Sequence, residues 1–216
     1  MKAIAIYVEG GGDTADQRTE LRNGLDNLFG AQKRAAQEKQ LRWKMVPCGG
    51  RQQTYEAFVN ERKNRDAETL CILLVDSEGP IAVETRGKHE ENARCRKRHL
   101  EVRDGWELSA VPDEHIHLMV QCMEAWIVAD ANVLASYYGQ DFHSPSLPKR
   151  ANLEDEPKDS LFDKLKSATR KTQKGEYAKI KHASKLLAII SVEKVAKRCP
   201  RFKTFASWLE EIVESA

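Results

Sequence analysis

The sequence predicts an α/β fold: a parallel-sheet core flanked by helices, with a mostly helical C-terminal extension. Three observations carry that expectation. Four short apolar runs, "KAIAIYV" (Lys2–Val8), "LRWKMVP" (Leu41–Pro47), "TLCILLV" (Thr69–Val75) and "HIHLMVQC" (His115–Cys122), stop at glycine, proline or charge, as buried strands do. The third of them is apolar almost throughout, which suits a strand covered on both faces. Helical patterns separate the first three runs, and strands alternating with helices give parallel sheets with right-handed crossovers.

In chain order, Lys2–Val8 is the first strand and ends at "EGGGD". A helical pattern over Thr14–Lys39 follows, with Leu21, Leu25 and Leu28 on one face. Leu41–Pro47 is the second strand, stopped by Pro47 and a "CGG" turn. Arg51–Lys63 is helical, with Tyr55, Phe58 and Val59 at three- and four-residue spacing. After the third strand, Ile81–Val111 is polar and charged and predicts a long excursion from the sheet, the kind of segment that is functional or disordered. The fourth strand runs into a helix in "MEAWIVADANVLASYY", carrying Trp126, Ile127, Leu134 and Tyr137. The division expected is a core over 1–140, with its polar insertion at about 81–111, and a linker and helical region over 141–216 packed on it. The latter holds helices at Ser160–Arg170, Tyr177–Ile190, Val192–Arg198 and from Pro200 onward.

Composition sets outer bounds. With 41% apolar and 31% charged residues and a mean hydropathy of −0.61, the chain reads as a soluble globular protein. No apolar run approaches the ~20 residues that cross a bilayer. "MKAIAIYVEG" lacks the layout of a signal peptide, so the expected location is the cytoplasm, with no membrane partner. The five cysteines are scattered without CxxC spacing, which argues against a zinc site or a disulfide framework. Charge is uneven: Lys149–Lys203 holds 16 Lys/Arg against 7 Asp/Glu, while the first 148 residues hold 19 against 23. That suits a metal held at one place and a polyanion at another, or a solvated basic surface.

Ligands of open α/β sheets bind outside the carboxyl ends of the strands. Strand one ends in Glu9, and strand three ends in "VDSEGP" with Asp76 and Glu78. Residues two apart on an extended strand face one side, and a neighbouring strand lies about 5 Å away, so the three carboxylates can converge. Together they would repel unless a cation lay between them, and hard oxygen ligands select Mg²⁺ or Mn²⁺. Gly10 and Gly11 would let a phosphate approach the backbone. The competing roles are a turn carboxylate for Glu9 and a helix N-cap for Asp76.

Glu124 sits where strand four becomes a helix, either as a fourth acid of the site or as a first-turn glutamate; Asp130 is a weaker candidate. Arg51 follows two glycines after strand two, as a phosphate clamp or as a surface arginine. "TRGKHEENARCRKRHLEVRDGW" brings Arg86, Lys88, Arg94, Arg96, Lys97, Arg98 and His99, a run that can follow a nucleic-acid backbone with His99 or Asp104 near the chemistry, or stay solvated. Lys179, Lys181, His182 and Lys185 make a second basic face, on which His182 reads as a surface residue. Trp106, Trp126 and Trp208 read as core. No GxSxG, Walker or GxGxxG motif occurs.

The blocks "VEGGGD", "CGGR", "VDSEGP", "HLMVQCMEAWIVAD" and "KIKHASKLLAII…CPRFKTFASWLE" resemble the TOPRIM-related family catalogued as domain of unknown function 4276, akin to the TOPRIM domains of OLD-type nucleases. The resemblance implies a TOPRIM-like core and a Mg²⁺-dependent nuclease-like site, with Glu9 as base or metal ligand and Asp76 and Glu78 as metal ligands. "EAW" recurs in the family, which adds Glu124. An effector of anti-phage defence acting beside an ABC-type ATPase is the partnership it suggests. Glu78 stands where the wider pattern has aspartate, which keeps a non-catalytic adaptor open, binding such an ATPase or a nucleotide. A metal-dependent phosphatase or nucleotidyl-transfer enzyme is a further alternative. DNA versus RNA and the oligomeric state stay open.

Overall fold

The computed structural model describes residues 1–64, 68–81 and 89–216. Strand β1 (Ala3–Val8) is buried at every position and lies between β2 (Arg42–Pro47) and β3 (Thr69–Asp76). β4 (Ile116–Met119) pairs with the other side of β3, giving the order β2-β1-β3-β4 with every pairing parallel. The all-parallel sheet and its flanking helices are the α/β architecture that the alternating pattern predicts.

The period of two along the strands divides the core. Ile4, Ile6, Val8, Ile72, Leu74 and Met119 face one cluster, and Ala5, Tyr7, Cys71, Leu73, Val75 and Leu118 face the other. Covering the first face are α1 (Ala15–Leu28) and α2 (Gly30–Glu38), with residues from later helices in the same cluster. The second face meets Phe58 of α3 (Arg51–Asn64), Leu100 of α4 (His89–Asp104), and Trp106 and Leu108 beyond it. Beyond the sheet run α5 (Glu124–Val128), α6 (Ala131–Tyr138), α7 (Lys158–Thr169), α8 (Lys179–Leu187), α9 (Val192–Arg198) and α10 (Pro200–Glu214), the helical C-terminal part. Leu161, Leu165, Leu186, Phe202 and Leu209 of these helices share one cluster with Ile4 and Ile6 of β1. No helix among the described residues is long and apolar enough to cross a membrane.

Four expected elements change, one of them the single helix expected over "MEAWIVADANVLASYY", which is two, α5 and α6, divided where Asp130 caps α6. The Thr14–Lys39 pattern is two helices, because the chain turns at Phe29 to place that ring against Trp126, Phe202 and Phe205. The fourth strand covers only Ile116–Met119 of the run His115–Cys122, and Asp113–His115 is a turn of 3₁₀-helix. The 81–111 excursion contains the sixteen-residue helix α4. It buries Arg96, whose Nε donates to the carbonyl of Ile116 at 2.6 Å, and an arginine in a core-facing position hides the apolar period. Trp106, Trp126 and Trp208 are buried, as expected.

The loop after β1 is shaped by glycine. Gly10, Gly11 and Gly12 all have positive φ, and the amides of Gly10 and Gly49 each donate to the other's carbonyl at 2.8 Å, tying the ends of β1 and β2 together. Thr14 then opens α1 with a capping box to Gln17.

Candidate metal centre at the carboxyl edge of the sheet

Parallel pairing sets the first two carboxylates side by side. Val8 is in register with Leu74, the Glu9 amide donates to the Leu74 carbonyl at 3.1 Å, and Glu9 Oε2 accepts from the Asp76 amide at 3.2 Å. Asp76, the last residue of β3, is buried. Its Oδ1 accepts from the amide of Met123 at 2.8 Å, just ahead of α5; Asp76 is not the N-cap of a helix that follows it, because the chain after it stays paired with the end of β4. Ser77 donates to the Met119 carbonyl and Glu78 to that of Gln121. Glu78 takes a positive φ of 63° there. One carboxylate oxygen from each of Glu9, Asp76 and Glu78 then lies within 4.8 Å of the others.

Cations surround this triad. Arg51, the first residue of α3, holds both oxygens of Asp104, with Nε–Oδ1 at 2.8 Å and Nη2–Oδ2 at 2.7 Å. Its Nη1 reaches Glu9 Oε2 at 3.0 Å and the Asp76 carbonyl, while the guanidinium lies 5.1 Å from the Trp106 ring centroid. Lys158 pairs with Glu78, and Arg103 approaches it at 4.0 Å and pairs with Asp104. Lys179 sits between Asp76 at 3.3 Å and Glu124 at 3.7 Å. Five carboxylates thus meet four cations among the described residues.

The electrostatics follow from crowding. Burial, then the charge of Asp76, raises Glu9 to about 7 against the pull of Arg51. Burial raises Glu124 as well, with Lys179 opposing. For Lys179, burial alone would favour the neutral amine, but Asp76 and Glu124 outweigh it and push its pKa above the ordinary lysine range. Burial works against Asp104 too, yet the Arg51 fork holds its carboxyl below its ordinary value.

Of the residues singled out by sequence, Glu9, Asp76, Glu78, Arg51 and Lys179 come together. Glu124 joins through Lys179 rather than by direct contact, and it accepts a 3.0 Å hydrogen bond from the Tyr177 hydroxyl. His99 stands beside the site, its Nε2 2.8 Å from the Ser77 carbonyl. Gly10 lies in the adjoining loop with its amide committed to Gly49, and Gly11 packs against Arg18 and Pro47.

Others point elsewhere. Arg98 is exposed, and Lys181 is exposed and donates to the Lys174 carbonyl at 3.3 Å. Asp130 caps α6 and pairs with Lys194, away from the triad. His182 is buried rather than on the surface: its Nδ1 accepts from the Ala178 amide, and its ring lies among Tyr137, Tyr138 and Tyr177. Arg86 and Lys88 lie outside the described residues, as does the side chain of Arg94.

A family model matches residues 8–210, from the last residue of β1 into α10. The chain belongs to the family described as Domain of unknown function (DUF4276). The match spans every residue of the charged cluster and both faces of the sheet. No curated protein and no solved structure matches the chain significantly.

Lys158 was not singled out by sequence, because its partner Glu78 lies 80 residues away across a segment read as linker. A local signal did exist. Both Lys158 and Lys179 are the first residue of their helices, where the helix dipole disfavours a cation. A lysine held against that field has a carboxylate to meet.

Proposed function

We propose that the protein is a Mg²⁺- or Mn²⁺-dependent phosphodiesterase acting on nucleic acid, with Glu9, Asp76 and Glu78 as its metal centre. The observation that carries this reading is the convergence of three carboxylate oxygens within 4.8 Å at the carboxyl edge of a parallel sheet, inside a ring of lysines and arginines. The donors fit a hard divalent ion, being oxygen throughout. Close by, Oε2 of Glu124 is buried without a hydrogen-bond partner among the described residues, a sign of acidic capacity beyond what the lysine satisfies.

A divalent ion bound at this cluster supplies positive charge to a phosphoryl oxygen and acidifies a neighbouring water. Asp76 and Glu78 would hold it. Glu9, raised toward neutral pH in the metal-free cluster by burial and by Asp76, is the third carboxylate at hand, either to complete the ion's ligands or to take the water's proton. Lys179 and Lys158 now neutralise Asp76 and Glu78, and are freed for the substrate's phosphate once those carboxylates have another cation. Arg51, fixed by Asp104 and Trp106, holds Glu9 in place.

One feature favours a second reading. The carboxylates are already neutralised by side chains, so the cluster is self-satisfied, as a non-catalytic adaptor for an ABC-type ATPase or a nucleotide would allow. Cleavage of supercoiled plasmid and of single-stranded DNA and RNA separates the two. The phosphodiesterase reading expects Mg²⁺- or Mn²⁺-dependent products that Glu9→Gln and Asp76→Asn each abolish. The adaptor reading expects no product with or without the ATPase, and a complex that survives both substitutions.

A further inference from the structure

A cleft of about 320 Å³ opens beside the charged cluster, within the size range of small-ligand pockets. Its apolar lining comes from Pro80, Ile81, Val120 and Pro157. Gln121 forms the wall shared with the metal centre. Its carbonyl accepts from the Glu78 amide at 2.9 Å, its Oε1 accepts from the Lys158 amide at 3.3 Å, and its Nε2 donates to the Glu154 carbonyl at 3.3 Å. Pro80 follows Glu78 by two residues and Pro157 directly precedes Lys158, so the cleft begins where the Glu78–Lys158 pair ends.

Its polar groups select a ligand class. Glu154 is taken up within the protein, accepting from the Arg201 amide at 2.8 Å and facing the Arg201 guanidinium at 4.0 Å. Asp155 is exposed at the rim and accepts from the Asn152 amide nitrogen at 3.0 Å, with a carboxylate's further acceptor capacity facing solvent. The Arg201 guanidinium also lines the cleft but faces Glu154, so the charge inside is balanced and the unspent charge at the mouth is the acidic Asp155. The cleft suits a flat, neutral ring that presents an amino group, since aspartate accepts from the exocyclic amine of a base. Apolar side chains are also the usual walls for a base held outside a stack.

We infer that this cleft takes the nucleobase of a nucleotide whose phosphate lies at the Glu9–Asp76–Glu78 cluster, with preference for bases carrying an exocyclic amine. The inference rests on the phosphodiesterase reading for the phosphate and on the cleft alone for the base.

Calorimetric titration of the full chain in Mg²⁺ with adenosine 5′-monophosphate, ribose 5-phosphate and adenosine keeps the two parts distinguishable. The nucleotide is expected to bind roughly tenfold more tightly than ribose 5-phosphate. Asp155→Ala, a rim substitution away from the carboxylates, should remove most of that difference and leave ribose 5-phosphate unchanged. Equal affinity of nucleotide and sugar phosphate, or indifference of the nucleotide to Asp155→Ala, overturns the base cleft and leaves the phosphate site standing. Adenosine binding as tightly as the nucleotide supports the cleft and contradicts the phosphate site. Absence of binding by all three overturns both. Uridine 5′-monophosphate serves as the control for the amine: if it binds as tightly as the adenine nucleotide, the stated preference is wrong.

Discussion

The ammonium of Lys179 lies 3.3 Å from the carboxylate of Asp76, although 103 residues separate them in the chain. The same ammonium lies 3.7 Å from Glu124. One lysine, delivered by the first turn of α8, thus compensates two buried acids at the edge of the sheet.

Lys179→Met should therefore destabilise the metal-free protein by roughly 3 kcal/mol, the lower end for breaking a buried pair, because Lys179 itself is about a third exposed. Urea denaturation checks this. Millimolar Mn²⁺ should restore part of the loss, since a cation at Asp76 relieves the same repulsion; an unaffected midpoint without metal would show that the lysine compensates nothing.

The pH dependence follows from Glu9. Its pKa is raised from the ordinary 4.5 to about 7, so the folded state binds this proton more tightly than the unfolded one. The stability from this group is complete below pH 4.5 and is lost as pH rises through about 7. Mg²⁺ competes with that proton, so its stabilising effect should be small at pH 5 and grow toward pH 8. Thermal melts at both pH values, with and without Mg²⁺, test the sign, and a larger Mg²⁺ effect at pH 5 would reverse it.

Arg51→Lys keeps the charge but not the fork that grips Asp104 while reaching Glu9. Arg51 lowers the Glu9 pKa, so the substitution should move the Glu9 titration above 7. The ¹³C chemical shift of the Glu9 carboxyl, followed against pH, reports it. An unchanged midpoint would mean that a point charge serves as well as the fork.

Gly24→Ala tests the packing that carries Lys179. A methyl group at Gly24 of α1 would sit 2.4 Å from the Ser184 carbonyl of α8, so the helices must separate. Alanine gains about 1 kcal/mol of helix propensity, but overpacking costs typically 1–3 kcal/mol. The net expectation is a loss of about 1 kcal/mol in chemical denaturation, with Mn²⁺ recovering part of it if the shift draws Lys179 away from Asp76. A stabilised variant would show that α1 and α8 yield freely.

Much of the site was legible because it lies at strand ends. An apolar run fixes where a strand stops, and the residue after it faces the ligand edge, which located Glu9, Asp76 and Glu78 with short-range information alone. Arg51 was legible as a cation in a locally unfavourable place, and Lys158 carried the same signal within a segment that looked like a linker. Helix α4 was hidden because it meets the sheet with Arg96 as well as Leu100, so its pattern lacks an apolar stripe. His182 was misjudged because its neighbours Lys181 and Lys185 are charged, while its own ring turns inward among three tyrosines. Burial of a polar ring is decided by contacts distant in sequence.

The claim on which the rest depends is that Glu9, Asp76 and Glu78 form a divalent-metal centre. Isothermal titration of the protein with Mn²⁺ at pH 8, compared with Asp76→Asn and Glu78→Gln, tests it most directly. The account predicts saturable binding by the native chain that each substitution weakens by about tenfold or more, since each removes one of three charged ligands. Native protein that binds no Mn²⁺, or variants that bind it as well as the native chain, would contradict the account.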